Sequence, residues 1–159
     1  MILLLLFRSI HKNMSHWLYK EKILEESPEN YFGFVYLITN IKSGKKYIGR
    51  KYFGTTRRVK VKGKKRRKVI RKDSNWRDYT GSSKILNSDI EKLGKKNFRF
   101  EILIMGETKG QVNYLEENIH HRFHVSAKDE FYNDCIGPRR FAKVRFNNNI
   151  EGQINEIKF

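Results

Sequence analysis

Glu116 is an acid at the rim of an apolar stripe. Residues 108–125 read as a helix, and at about 100° per residue Val112, Leu115, Ile119 and Phe123 share a sector roughly 80° wide. Glu116 falls about 20° beyond that sector, whereas Glu117 falls on the opposite, wet side. A carboxylate there is expensive to bury without a partner. It is therefore either salt-bridged to a Lys or Arg, or held in place as a metal ligand or acid–base group. His120 and His124 follow at i+4 and i+8 and imitate a zinc row. One straight helix does not close a tetrahedral site without help, and Cys135 is the only thiol in the chain. Tyr36 and Tyr47 are the second chemical pair. A tyrosine serves as a general base only where a nearby cation lowers its pKa from about 10, and a cationic segment begins directly after Tyr47. Core packing is their other possible role.

That cationic segment holds nearly all of the net charge. The 159 residues carry 34 Lys and Arg against 17 Asp and Glu, a net +17. Between Asn30 and Lys72 there is no acid, and sixteen of the basic residues lie between Lys42 and Lys72. The remainder of the chain is balanced, 18 basic against 17 acidic. The densest stretch, RRVKVKGKKRRKVIRK at 57–72, has eleven basic residues in sixteen positions. Like charges so crowded repel unless an anion lies between them. Contact with the phosphates of a nucleic acid is the expected use, through Arg50, Lys51, Arg58, Lys64, Lys65, Arg66, Arg67 and Lys68, and such contact positions a backbone without reading bases.

Composition limits the alternatives. One domain with a tail fits the length. With 38% hydrophobic residues, eleven Phe, eight Tyr and two Trp, disorder is excluded. A single cysteine excludes a disulfide-stapled secreted domain and favours a reducing, cytoplasmic setting. The apolar run at residues 2–7 is shorter than the ~20 residues of a membrane span, and it lacks the flanks of a signal peptide. Residues 1–13 read as a mis-assigned start or a loosely docked extension, since Met14 opens a second plausible start.

The elements that must carry these residues follow from periodicity. Residues 33–41 (GFVYLITNI) and 46–50 (KYIGR) flank the turn signal Lys42-Ser43-Gly44 and read as a hairpin. Ser82 or Ser83 caps a helix with Leu86, Ile90 and Leu93 on its apolar face, ended by Gly94. FRFEILI at 98–104 reads as a strand with Phe98, Phe100, Ile102 and Ile104 on one face. The expected fold is a small α+β domain over residues 31–135: a three-stranded antiparallel sheet flanked by helices, with a long basic loop at 51–75. Residues 1–30 read as an extension and 136–159 as a tail.

Together these pieces resemble the GIY-YIG endonuclease family. Tyr47-Ile48-Gly49 is an intact YIG. Phe34-Val35-Tyr36 stands in the place of GIY, with Gly33 one position early. Tyr79-Thr80-Gly81-Ser82-Ser83-Lys84, Lys92-Leu93-Gly94 and Asn97-Phe98 leading into Glu101-Ile102-Leu103 are similar to the phage-encoded, Seg-like branch. Leu115-Glu116-Glu117-Asn118-Ile119 is similar to the motif that carries the family's helix glutamate, and Tyr132-Asn133 to its late Tyr-Asn pair. The family's arginine, ten residues after the YIG tyrosine, falls on Arg57, with Arg50, Lys51 and Arg77 as rivals.

The resemblance implies hydrolysis of a DNA phosphodiester with a single divalent ion, Mg²⁺ or Mn²⁺. Glu116 would be its one protein ligand and Tyr36 or Tyr47 the general base. Arg57 would stabilise the transition-state charge, and Asn133 would hold the site's geometry. A basic nucleic-acid-binding protein that keeps the fold without the activity is the alternative. A ribosome-associated basic protein would account for the charge run but not for Glu116.

Overall fold

Alternation along residues 33–40 organises the molecule. Phe34, Tyr36 and Ile38 enter one core cluster, while Val35 and Leu37 enter a second on the other side of the sheet. A strand whose two faces are both apolar must lie between two layers. The computed structural model describes residues 15–63, 65–134 and 149–159. The expectations attached to residues 1–13, Lys64 and Cys135 lie outside them, as do residues 136–148 of the tail.

The strands are β1 (Leu18–Tyr19), β2 (Lys22–Ile23), β3 (Gly33–Asn40), β4 (Lys46–Tyr52), β5 (Gly54–Val59), β6 (Lys68–Asp73) and β7 (Phe98–Gly106). The helices are α1 (Lys84–Leu93), α2 (Lys109–Arg122) and α3 (Ile150–Asn155). The fold is α+β, and β7, β3 and β4 form the expected antiparallel core of the sheet. The full sheet is nevertheless five-stranded and mixed, in the order β2-β1-β7-β3-β4. Leu18 of β1 pairs in parallel with Glu101 of β7, and β1 turns back into β2.

Two residues per strand are too few to show a period. The turn between them, Lys20-Glu21, has positive φ at both positions (49° and 64°) without the Asn or Gly that usually marks such a turn. Trp17 holds this segment down: it is fully buried, and its indole N–H donates to the Trp76 carbonyl at 2.7 Å.

Two further departures have simple causes. Ile104 does not share a face with Phe98, Phe100 and Ile102. A bulge shifts the register, with Val35 opposite Ile104 and Tyr36 opposite Ile102, so Leu103 is the extra residue. Ile104 accordingly packs with Leu115 and Ile119 in the second cluster. The basic stretch is also not an irregular loop. β5 and β6 pair over six registered positions into a separate two-stranded ribbon.

The helices close the two layers. Ser83 Oγ accepts from the Leu86 amide at the start of α1, and Thr108 Oγ1 from the Gln111 amide at the start of α2. Val112, Leu115 and Ile119 are fully buried, as the stripe requires. Glu117 is not on a wet side: its side chain is about as covered as that of Glu116, and it faces His121. No helix among the described residues is long and apolar enough to cross a membrane.

One titratable group is locked into this core. His16 packs on Phe100 at 4.1 Å between ring centroids, and its Nε2–H donates to the Tyr79 carbonyl at 3.0 Å. Burial, with a smaller push from Lys95, lowers its pKa to about 4. The unfolded chain takes up this proton near pH 6.5 and the folded one does not. Stability therefore falls as pH drops from about 6.5 towards 4 and is independent of His16 above that window. Melting temperatures of His16→Gln should fall less steeply than wild type across that range. Parallel curves would place the proton elsewhere.

Candidate active site

The cleft forms at the edge of the sheet, because β4 is an edge strand whose two faces serve different purposes. Tyr47, Gly49 and Lys51 project to the side of the aromatic cluster, and Ile48, Arg50 and Tyr52 to the side of α2. Strand alternation thus puts a tyrosine and an arginine three residues apart on opposite faces. They reach common space only by converging around the strand's open edge. A cleft of about 330 Å³ lies there, lined by Tyr36, Tyr47, Arg50, Lys51, Tyr79 and Glu116, among others.

The tyrosine side rests on two glycines. Tyr36 pairs across the sheet with Gly49, and its hydroxyl lies where a side chain at 49 would be: a Cβ there would approach it to 2.5 Å. Gly81, at φ +93°, similarly leaves room for the Tyr47 ring. The Tyr36 and Tyr47 ring centroids are 6.1 Å apart, and Tyr79 stands edge-on to Tyr36 at 6.2 Å. Tyr47 Oη and Ser82 Oγ share a hydrogen bond at 3.1 Å.

Burial pushes the Tyr36 phenol well above its ordinary pKa, reinforced by Tyr47 and Tyr79. Burial raises Tyr47 too, opposed in part by the Ser82 hydrogen bond. The expectation that the cationic segment lowers these pKa values is therefore overturned. The ribbon's charges stand in solvent, and loss of water around the rings outweighs them. Tyr36 is 1% exposed and Tyr47 9%, so Tyr47 is the more accessible of the two residues.

The α2 side is an ion pair. Arg50 Nη1 donates to Glu116 Oε2, and both side chains are largely covered. Arg50 Nε also donates to Tyr52 Oη at 3.2 Å, and Tyr52 in turn donates to Asn113. The partner anticipated for a carboxylate at the core's edge is thus Arg50. Lys51 spans the rim: its Nζ donates to Asn75 Oδ1 at 2.7 Å and lies 4.0 Å from the Tyr79 ring centre. Burial lowers its pKa.

The structure separates the remaining sequence candidates. Arg57 is exposed on β5 and does not line the cleft. Thr55, two residues earlier on the same face, does line it. Arg77 is committed elsewhere, to Asp73 at 2.7 Å and the Glu25 carbonyl at 3.0 Å. Arg58, Lys65, Arg66, Arg67 and Lys68 are exposed on the ribbon and its tip.

Asn133 also lies off the cleft. Its Oδ1 accepts from the Ile48 amide at 2.9 Å and its Nδ2 donates to the Ile48 carbonyl at 2.7 Å. That clamp pins the YIG backbone between Tyr47 and Gly49. His120 is buried and His124 follows the helix in a left-handed conformation. Among the described residues no three His, Cys, Asp or Glu side chains cluster as a metal site. Tyr52, Tyr79 and Ser82 were not singled out from the sequence as site residues. The Tyr79-Thr80-Gly81-Ser82 motif was the available signal for two of them.

An open cleft with two cations, one carboxylate and several hydroxyls is equipped to receive an anionic ester. A family model, "Putative endonuclease segE, GIY-YIG domain", matches residues 17–136. The chain belongs to the GIY-YIG endonuclease family, a family of nucleases. No curated protein and no solved structure matches it.

Gly49→Ala tests the packing beneath the cleft. Its Cβ would meet the Tyr36 hydroxyl and ring carbon at 2.5 and 2.7 Å. Overpacking of this kind costs about 1–3 kcal/mol, to be read from the urea midpoint. An unchanged midpoint would mean that Tyr36 is free to swing out.

Proposed function

We propose that the chain is a DNA endonuclease of the Seg-like branch, acting in the cytoplasm, the host's if it is phage-encoded, and using one divalent ion, Mg²⁺ or Mn²⁺. One observation carries the reading. Glu116, Arg50, Lys51 and Tyr47 line a single cleft at the foot of the cationic ribbon. The SegE name of the matched family and the Tyr79–Lys84 motif support the branch.

The donor set fits such an ion. Glu116 is the one carboxylate among the residues lining the cleft. Mg²⁺ is commonly held by one or two carboxylates, with water and substrate phosphate completing its shell. Bound by Glu116, the ion would polarise a phosphate oxygen and neutralise charge.

The chain's own residues supply the rest. Arg50, released from Glu116, turns its guanidinium to a non-bridging phosphate oxygen and stabilises the charge that develops there. Lys51 adds a second cation at the rim. Tyr47, the more accessible of the two tyrosines, orients the attacking water, and because burial raises its pKa only the small ionised fraction, growing with pH, accepts the water's proton. Tyr36 backs the Tyr47 ring. Asn133 fixes the strand that carries Tyr47 and Gly49. Arg57 stands about 7 Å beyond Thr55 along β5, outside the cleft lining, so Arg50 rather than Arg57 serves the scissile phosphate.

Glu116→Gln should fold and bind DNA while losing metal-dependent nicking of supercoiled plasmid. Glu117→Gln should keep that activity, because its carboxylate does not line the cleft. A folded Glu116→Gln that nicks at the wild-type rate would sink the assignment, and a wild-type protein that binds without nicking would favour the non-catalytic alternative.

Tyr47→Phe should lower the single-turnover rate on the order of 10²- to 10⁴-fold. Because the Tyr47 pKa is raised above its usual 10, the wild-type rate should climb with pH up to at least about 9, tenfold per unit. The variant should lose that slope. If it retains the slope, the titrating group is not Tyr47.

A further inference from the structure

Among the described residues, the β5–β6 ribbon contributes no side chain to either core cluster. Thr55, Thr56, Arg57 and Arg58 are exposed, as are Val69 (55%) and Ile70 (45%). A two-stranded ribbon alone is marginal in water, and this one is crowded with positive charge. Its register reduces the strain. Lys72 pairs with Thr55, Arg71 with Thr56, Ile70 with Arg57, Val69 with Arg58 and Lys68 with Val59. No basic residue in these pairs stands directly opposite another, so the most destabilising like-charge contacts are avoided.

The ribbon is also anchored firmly at its base. Phe53 N–H donates to the Phe32 carbonyl at 3.0 Å, Ser74 N–H to the Phe53 carbonyl at 2.9 Å, and Ser74 Oγ–H to the Tyr52 carbonyl at 2.7 Å. It leaves the domain at the cleft's rim, where Gly54, Thr55 and Ser74 form part of the lining.

Its two faces are not equivalent. Thr55 opens on the cleft, while Thr56 opens on a separate hollow beside Pro28 and Phe32. Arg57, Val59, Lys68, Ile70 and Lys72 share the Thr55 face by alternation and register, although Lys72 at the ribbon's root also borders the hollow beside Pro28. A duplex lying in the cleft therefore meets this face first. Paired strands about 4.8 Å apart, six residues or roughly 20 Å long, match a major groove about 12 Å wide, which admits a two-stranded β-ribbon. A minor groove of about 6 Å is too narrow, and the major groove of A-form RNA is too deep and narrow for side chains to read.

From charge, shape and attachment we propose that the ribbon enters the major groove of duplex DNA with its Thr55–Arg57–Ile70 face towards the base edges. This rests on the DNA reading of the cleft and goes beyond backbone contact alone. Arg57 is a donor suited to guanine O6 and N7, and Ile70, directly opposite, is an apolar surface suited to a thymine methyl. The flanking lysines and the basic tip lie against phosphates.

Dimethyl sulfate distinguishes the grooves in one experiment, since it methylates guanine N7 in the major groove and adenine N3 in the minor groove. Glu116→Gln protein at saturation on a duplex fragment should protect guanine N7 several-fold and leave adenine N3 reactive. Adding Ile70→Glu, an exposed site that bears on no core, should remove the N7 protection. Protection of adenine N3 instead, or of neither atom while a gel shift persists, would overturn the groove assignment. So would equal affinity for duplex RNA, or N7 protection that survives Ile70→Glu. Plasmid nicking by wild-type protein, run in parallel, separates the two ideas. Nicking without N7 protection leaves the nuclease standing and removes the groove, and N7 protection without nicking does the reverse.

Discussion

The site depends on the outer edge of β4, which the described residues cover along only part of its length. From Lys46 to Ile48 that edge is sealed: Lys46 exchanges backbone hydrogen bonds with Glu130 and Tyr132, and Asn133 closes on both polar groups of Ile48. Cover by these residues ends at Ile48, and the cleft residues Gly49 to Tyr52 follow. An unsealed edge exposes unpaired amides and carbonyls, which folded proteins usually blunt with charge or a covering segment. Here the edge carries Arg50 and Lys51 and gives way at once to a cationic ribbon. Charge protects it from another strand and at the same time makes it a place for a phosphate.

The Arg50–Glu116 pair sets the electrical state of the cleft. Removing either partner from a largely covered pair leaves the other charge poorly solvated, which is costly. Exchanging partners is different. A phosphate approaching Arg50 and a cation approaching Glu116 each satisfy one half of the pair, so neither charge is stranded. On the proposed reading, substrate and metal ion would thereby be favoured together over either alone. The same covering that makes the pair tight raises the pKa values of the tyrosines. A site dry enough to strengthen charge contacts also keeps its phenols protonated until a base is needed.

Much of this could be read in the sequence, and what could not has identifiable causes. Alternation gave the β3–β4 hairpin, and the wheel gave the buried stripe and Glu116 at its edge. The β7 bulge was invisible, since one added residue changes parity without changing composition, and Ile104 landed on the other face. The family resemblance pointed to Arg57 with Arg50 as a rival, and Arg50 is the one that reaches Glu116, because a count along the chain does not record which face of an edge strand a side chain takes. Glu117 reads as wet on an isolated helix, but its neighbours are supplied by tertiary packing. β1 and β2 are too short to carry a period. The ribbon was hidden by its own charge, for a strand with no buried face has no alternation to display.

That last point also bears on function. A segment with no core beneath it and so much like charge is poorly stabilised by its own contacts, and its pairing gains when an anion is bound. Binding and ordering are then linked: a polyanion that prefers the paired ribbon must stabilise it to the same extent. The hydrogen bonds of Phe53 and Ser74 fix the ribbon's root to the sheet, so any order gained along it is aimed from the cleft. On the proposed reading, placement of the scissile phosphate and engagement of the neighbouring groove would be coupled through a short, well-anchored stretch of chain.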